Sequence, residues 1–133
     1  MNTQQIFPKK EHLYDKTAIE SLYGKGHRMM FFPYSIYWDF NDRTIDDGNR
    51  SRVLITTSKR KFHHAVDRNR VKRLTRECYR QHRPQLWEYL EKQDLHIDIS
   101  FNYIHTEIFR FQTLYAKFDK IIPELIKAIE HSR

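Results

Sequence analysis

Between Lys59 and Arg83 the chain places ten basic residues and only two acidic ones, Asp67 and Glu77. A fold cannot bury such a stretch, because a charge taken out of water without a partner is costly. The stretch must therefore lie at the surface, and its spacing says how. At about 100° per residue, Asn69, Arg73, Arg76 and Arg80 fall within a sector roughly 60° wide, with Lys72 beside it, while Val71, Leu74 and Cys78 fall opposite. This predicts a helix from Ala65 to about Leu90, with one side on a core, a row of guanidinium groups in solvent, and Pro84 as a potential break. Outside the segment the chain carries 14 basic and 15 acidic residues, so the segment accounts for the whole formal charge of +7. An ordinary solvated helix face interleaves acids with its bases; a focused positive field of this kind attracts polyanions, and forked guanidinium donors suit phosphate oxygens.

Only three Gly and four Pro punctuate the 133 residues, so the other elements are long as well. His12 to Tyr23 has Leu13, Ala18, Ile19, Leu22 and Tyr23 near helical spacing, followed by Gly24 and Gly26 as stop signals. Arg28 to Phe40 is rich in strand formers and broken at Pro33, which suggests two pieces. After a polar, turn-forming connection over Asn41 to Arg50, Val53 to Thr57 forms another strand, expected to pair antiparallel with the first. His96 to Ile104 alternates, with Ile97, Ile99, Phe101 and Tyr103 on one face. Phe111 to Glu130 has the spacing of a helix that Pro123 should kink or restart. The expectation is a single α+β domain over residues 1–133, an α/β sandwich with the order α-β-β-β-α-β-α, with residues 1–8 and 131–133 as flexible tails.

With hydrophobic residues at 39% and aromatics at 14%, there is apolar area enough to offset chain entropy, and a domain of this size buries roughly two-thirds of its unfolded surface. The single cysteine, Cys78, rules out an intramolecular disulfide and fits a reducing compartment. No apolar run approaches the roughly 20 residues of a membrane span, and Met1 to Lys10 lacks a signal-peptide core, so a soluble cytoplasmic protein is expected. Cys78 falls on the buried side of the basic helix, which favours a small core residue over a reactive thiolate. His82, one turn on, lacks the companion ligands of a zinc site. His63 and His64 could donate to phosphate or stack on a base, or could equally be plain loop residues. Nothing groups a nucleophile with a base and an orienting acid, and there is no glycine-rich phosphate loop.

Ser58-Lys59-Arg60 followed by Ala65-Val66-Asp67-Arg68-Asn69-Arg70-Val71-Lys72-Arg73-Leu74-Thr75-Arg76-Glu77 closely resembles the Arg-Asn-Arg signature of the protein subunit of bacterial ribonuclease P. The resemblance extends from about Phe7 to Ile129: Phe7-Pro8-Lys9 and Leu13 resemble the family's entry into its first helix, and Arg52-Val53-Leu54-Ile55 its central strand. The resemblance implies a mixed sheet of about four strands with flanking helices and a left-handed crossover into the basic helix, against the general right-handed rule. It also implies a function, in which a catalytic RNA removes the 5′ leader of precursor tRNA by metal-assisted hydrolysis and the protein assists.

By that resemblance Arg68, Asn69, Arg70, Lys72, Arg73 and Arg76 face the catalytic RNA, one protein per RNA, and Lys59, Arg60 and Arg80 of the same basic segment are expected to bind RNA with them. Mg2+ is held mainly by the RNA, supported near Asn69, and the protein has no metal site or catalytic residue of its own. The family's leader cleft, between sheet and first helix, falls on Ile19, Tyr23 and Tyr37; Ile19 departs from the aromatic residue of relatives and gives no stacking face. Two other readings share the basic helix. A stand-alone RNA-binding module, such as a ribosome-associated protein, would have no dependence on a leader. A duplex-DNA helix-turn-helix would need a short helix where strand residues Val53 to Thr57 stand.

Overall fold

The computed structural model describes residues 11–41 and 49–133. The proposed tail over residues 1–8 and most of the polar connection between Asn41 and Arg50 lie outside the described residues. Three helices, α1 (Lys16–Lys25), α2 (Ala65–Gln93) and α3 (Phe111–His131), accompany four strands, β1 (His27–Phe31), β2 (Tyr34–Phe40), β3 (Ser51–Thr56) and β4 (Ile97–Tyr103). The element order is the one expected from the sequence.

The first helix starts later than its periodicity suggested. Leu13 donates from its backbone to Val53 O at 2.9 Å and is buried, and His12 bridges Val53 in parallel. Residues 12 and 13 thus extend the sheet edge, and the helix begins beyond Asp15, whose Oδ1 accepts from Thr17 N at 2.9 Å, a side-chain N-cap. Of the two glycines expected to stop it, Gly24 lies within α1 and only Gly26 follows it. A Cβ on Gly26 would sit 2.3 Å from Leu22 O and 3.1 Å from Trp38 O, so the helix end and β2 approach too closely for any side chain.

The sheet order is β1-β2-β4-β3. β1 and β2 form an antiparallel hairpin, with Phe31 opposite Tyr34, turning on the cis-linked Phe32 and Pro33. The expected antiparallel pairing of β3 with the first strands does not occur. β4 lies between them, antiparallel to β2 and parallel to β3. A parallel pair needs a long crossover, which α2 supplies. β4 also has the composition of a central strand: Ile97, Ile99, Phe101 and Tyr103 are buried on one face and Asp98 and Ser100 on the other.

Tyr34, Ile36 and Trp38 of β2 join that apolar face of β4 and Val53 of β3 in a core closed by α2 and α3. α3 contributes Leu114, Phe118, Ile121, Ile122, Leu125 and Ile129. Neither proline interrupts its helix: α2 runs through Pro84 and α3 through Pro123. Pro84 is exposed, where water can replace the helical bond that proline removes.

The buried stripe of α2 is Val71, Thr75, Cys78, Tyr79, His82, Arg83, Leu86 and Leu90. It is centred slightly away from the expected line, so that Thr75 is buried and Leu74 only half-buried. Thr75 is accommodated because its hydroxyl bonds Tyr34 Oη at 2.7 Å, satisfying both groups away from water.

Candidate nucleic-acid interface

Three devices set the outward face of α2. The turn after β3 is folded on Ser58, whose Oγ accepts from Arg60 N at 3.1 Å and whose carbonyl accepts from Phe62 N at 3.0 Å. Phe62 is buried and packs near Tyr103, so the flanking Lys59 and Arg60 turn outward, exposed. Lys61 is held against the protein by its bond to the Ile104 carbonyl. Asp67 lies in the first helical turn, where a carboxylate suits the helix dipole.

Along α2, Asn69, Arg70 and Arg73 are exposed, and Lys72 and Arg76 are half-buried. Besides Lys61, three of the clustered cations are engaged within the fold. Arg68, expected to be exposed, is half-buried and donates from Nη1 to the carbonyls of Phe62 at 2.8 Å and His63 at 3.0 Å, bracing the loop that enters the helix. Arg80 donates from Nε to Glu77 Oε2 at 3.1 Å and ion-pairs with the same carboxylate through Nη2. That bond holds the Glu77 carboxyl below the usual range despite partial burial. Arg83 is buried and paired with Glu11. What remains outward is Lys59, Arg60, Arg70, Lys72 and Arg73 with Asn69 among them, and Arg76 at the margin.

His63 and His64 are exposed, and His64 caps α2 through its backbone only. Burial pushes the Cys78 thiol up to about 12, with Glu77 adding to the shift; at neutral pH it is a protonated core group. His82 Nδ1 donates to the Cys78 carbonyl at 2.7 Å, and its Nε2 lies 2.8 Å from Asp119 Oδ1, tying α2 to α3.

The opposite face of the sheet is polar, and α1 crosses it. Tyr23 Oη donates to Asn102 Oδ1 at 2.7 Å and also bonds Ser100 Oγ. Its ring meets that of Tyr37 edge to face, with centroids 4.9 Å apart. Ile19, half-buried, lies one turn before Tyr23 on the same side of the helix. The structure thus brings Tyr23 and Tyr37 together and adds two groups that sequence reasoning missed. Arg28 stands 5.9 Å above the Tyr37 ring and donates from Nε to Ser35 Oγ at 3.2 Å. Asn102 donates to Ser35 O at 2.9 Å and accepts from Thr56 Oγ1 at 2.6 Å. The signal for this face was available in Asp98, Ser100 and Asn102, which alternate with the apolar residues of β4. Asp98 is held by a two-pronged bond from Arg52, 2.9 Å on each arm.

Comparisons with known proteins bear on the family and the fold. The family model described as Ribonuclease P matches residues 7–125. The ribonuclease P protein component of Porphyromonas gingivalis strain ATCC 33277 is 30% identical over 112 residues, 84% of this chain and 80% of the relative. That of Dictyoglomus thermophilum is 38% identical over 85 residues, 64% of this chain and 66% of the relative. Among solved structures, the RNase P protein of Thermotoga maritima superposes with a TM-score of 0.62 at 18% identity, covering 84% of this chain and 94% of that one. The Staphylococcus aureus RNase P protein gives 0.59 at 18% identity, over 86% and 94%. These two structures bear on the fold, and they share its helices and mixed sheet. A stand-alone ribosome-associated module is not favoured by any of these matches. With the family model spanning nearly the whole chain and the relatives agreeing with it, the chain belongs to the bacterial ribonuclease P protein family, as a subunit of the endoribonuclease that acts in tRNA processing.

Proposed function

We propose that this subunit assists the reaction without supplying its chemistry, by neutralising RNA phosphates on α2 and holding the single-stranded 5′ leader of precursor tRNA against α1 and the polar sheet face. The observation that carries the reading is the outward set Lys59, Arg60, Arg70, Lys72 and Arg73, which no described acid pairs. Bringing two polyanions together costs Coulomb energy, and a row of cations lowers it. On this reading the helix faces the catalytic RNA, one protein per RNA, with Asn69 and Arg76 in the same contact. Arg68 and Arg80 contribute field, since their donors already have acceptors in the fold.

Magnesium, on this reading, belongs to the RNA. Among the described residues no three His, Cys, Asp or Glu side chains gather as a metal cage. The Asn69 end of α2 would touch the RNA that holds it. Tyr23 and Tyr37 give the leader ring faces and edges, and Arg28 adds a cation that can meet a phosphate or stack on a base. No helix among the described residues is long and apolar enough to cross a membrane; on this reading the subunit acts with its RNA in the cytoplasm.

Cleavage of a precursor tRNA by the cognate catalytic RNA at low magnesium, with and without the protein, tests the reading. Stimulation should be larger for a long leader than for a one-nucleotide leader. Equal stimulation would keep the RNA contact and remove the leader cleft. No stimulation, despite tight RNA binding, would remove the assisting role and the leader cleft and leave α2 as an RNA-binding surface only.

A further inference from the structure

At the β3 edge of the sheet a groove of about 190 Å³ is lined by His12, Tyr14, Leu54, Lys72 and Arg76, among others. It is separate from the Tyr23 and Tyr37 pair and is far smaller than the roughly 300–1,000 Å³ of sites for drug-sized ligands. Beside it stands the most exposed of the Phe, Tyr and Trp rings among the described residues, Tyr14, 63% accessible. A single exposed aromatic residue needs no explanation by itself. This one differs in how it is held. Its ring stacks on His12 with centroids 5.7 Å apart and planes 12° from parallel. The backbone on one side is pinned by the Leu13 bond to Val53, and on the other by Asp15, the N-cap of α1. The ring is therefore pre-positioned, so little conformational freedom is lost when something binds to it.

The charges around the groove complete the pattern. Burial, and then the nearby Arg76 cation, hold the His12 imidazole below its ordinary range, so at neutral pH the imidazole brings no charge to the stack. Positive charge comes instead from Lys72, a half-buried member of the outward set, and from Arg76 at the margin of that set. An ordered aromatic ring next to two cations suits a base and its phosphate, and suits a single strand because a duplex keeps its base faces covered.

We propose that this groove is a second single-stranded RNA site, in which one nucleobase stacks on Tyr14 and the adjoining phosphate meets Lys72 and Arg76. The proposal rests on the reading that α2 faces RNA, and it adds a stacking position at the sheet edge, away from the leader cleft.

The test measures binding of a fluorescein-labelled, ten-nucleotide single-stranded RNA and of a blunt RNA hairpin to the full chain and to the Tyr14→Ala, Tyr14→Phe, Lys72→Ala and Arg73→Ala variants. Tyr14→Ala should weaken single-strand binding about 5- to 150-fold, the range for loss of one stacked base. Tyr14→Phe should bind like the parent, Lys72→Ala should weaken both RNAs, and the hairpin should be nearly indifferent to Tyr14. Parental binding by Tyr14→Ala alongside weakened binding by Arg73→Ala would overturn this site and leave α2 as an RNA surface. Parental binding by both would overturn the two together. Equal losses for Tyr14→Ala and Tyr14→Phe, or equal losses on strand and hairpin, would overturn the stacking. If Tyr14→Ala loses its fold by circular dichroism, Tyr14→Leu takes its place, with the same expectation.

Discussion

Arg83 and Glu11 form an ion pair almost wholly out of solvent, with side chains 6% and 0% exposed. It joins the segment before α1 to the middle of α2, and Arg83 also lies over the Trp87 ring, 4.9 Å from its centroid. Burial pushes the Glu11 carboxyl up, and the Arg83 guanidinium opposes that shift. Arg83→Met should leave a buried carboxylate without its cation and destabilise the fold by about 3–5 kcal/mol in urea unfolding, whereas the Glu11→Gln, Arg83→Met pair should recover much of that loss. A stable Arg83→Met protein with weakened RNA binding would instead place Arg83 in the interface.

Gly24 and Gly26 should respond oppositely to alanine. Gly24 lies in α1 with nothing within 4 Å of an added Cβ, so Gly24→Ala should stabilise by up to about 1 kcal/mol through helix propensity. Gly26→Ala drives a Cβ into Leu22 O and should lose about 1–3 kcal/mol, the usual range for overpacking. Thermal melts of the two variants decide; a neutral Gly26→Ala would contradict the close approach of the α1 end to β2.

Glu77 is the one acid among the described residues that pairs with a cation of the basic cluster on the surface of α2. Glu77→Gln should release Arg80 to the outward face, tighten RNA binding, and steepen the salt dependence by about 0.7–0.9, one phosphate contact. The low carboxyl range of Glu77 gives the pH sign. A carboxyl held below its unfolded value adds stability that is present above the unfolded pKa and is lost as pH falls through the folded one. The parent should therefore lose this contribution in acid, below roughly pH 4.3, and the Glu77→Gln protein should not. An unchanged salt slope in Glu77→Gln would mean that Arg80 stays bound to the fold.

His12 provides a second titration. Because its ring is held below the ordinary histidine range, the neutral form is favoured in the fold, and its stability contribution is present above roughly pH 6.5 and fades as pH falls below that. The His12 ring resonances in an NMR titration should have a midpoint under roughly 6.5. A midpoint at or above that value would contradict the placement of His12 beside Arg76.

The helices and strands were legible because their apolar spacing is strong, and α2 was legible as a surface because its charge is so one-sided. Strand pairing was not. Nothing in Val53 to Thr57 says whether its neighbour is the preceding hairpin or a strand forty residues later; that choice depends on α2 crossing over and on β4 being apolar enough to be central. The face of α2 was read to within a fraction of a turn, and the error mattered at Thr75 and Leu74. The fates of Arg68, Arg80 and Arg83 were hidden for a different reason. Spacing reports direction, whereas their partners are two loop carbonyls, a neighbouring acid and a glutamate 72 positions away in sequence. Tyr23 and Tyr37 came from the family resemblance, and their edge-to-face meeting and the Arg28 above them needed the sheet register.

The most direct measurement is the salt dependence of binding between the protein and the catalytic RNA, for the parent and for the Arg70→Ala, Arg73→Ala double variant. With five or six phosphate contacts on α2 and its entry turn, log affinity against log salt should slope near −4 to −5, and the double variant should be shallower by about 1.4–1.8 with an unchanged melting temperature. A parental slope near −1, or a double variant with the parental slope, would contradict the account of α2 as the RNA-binding face.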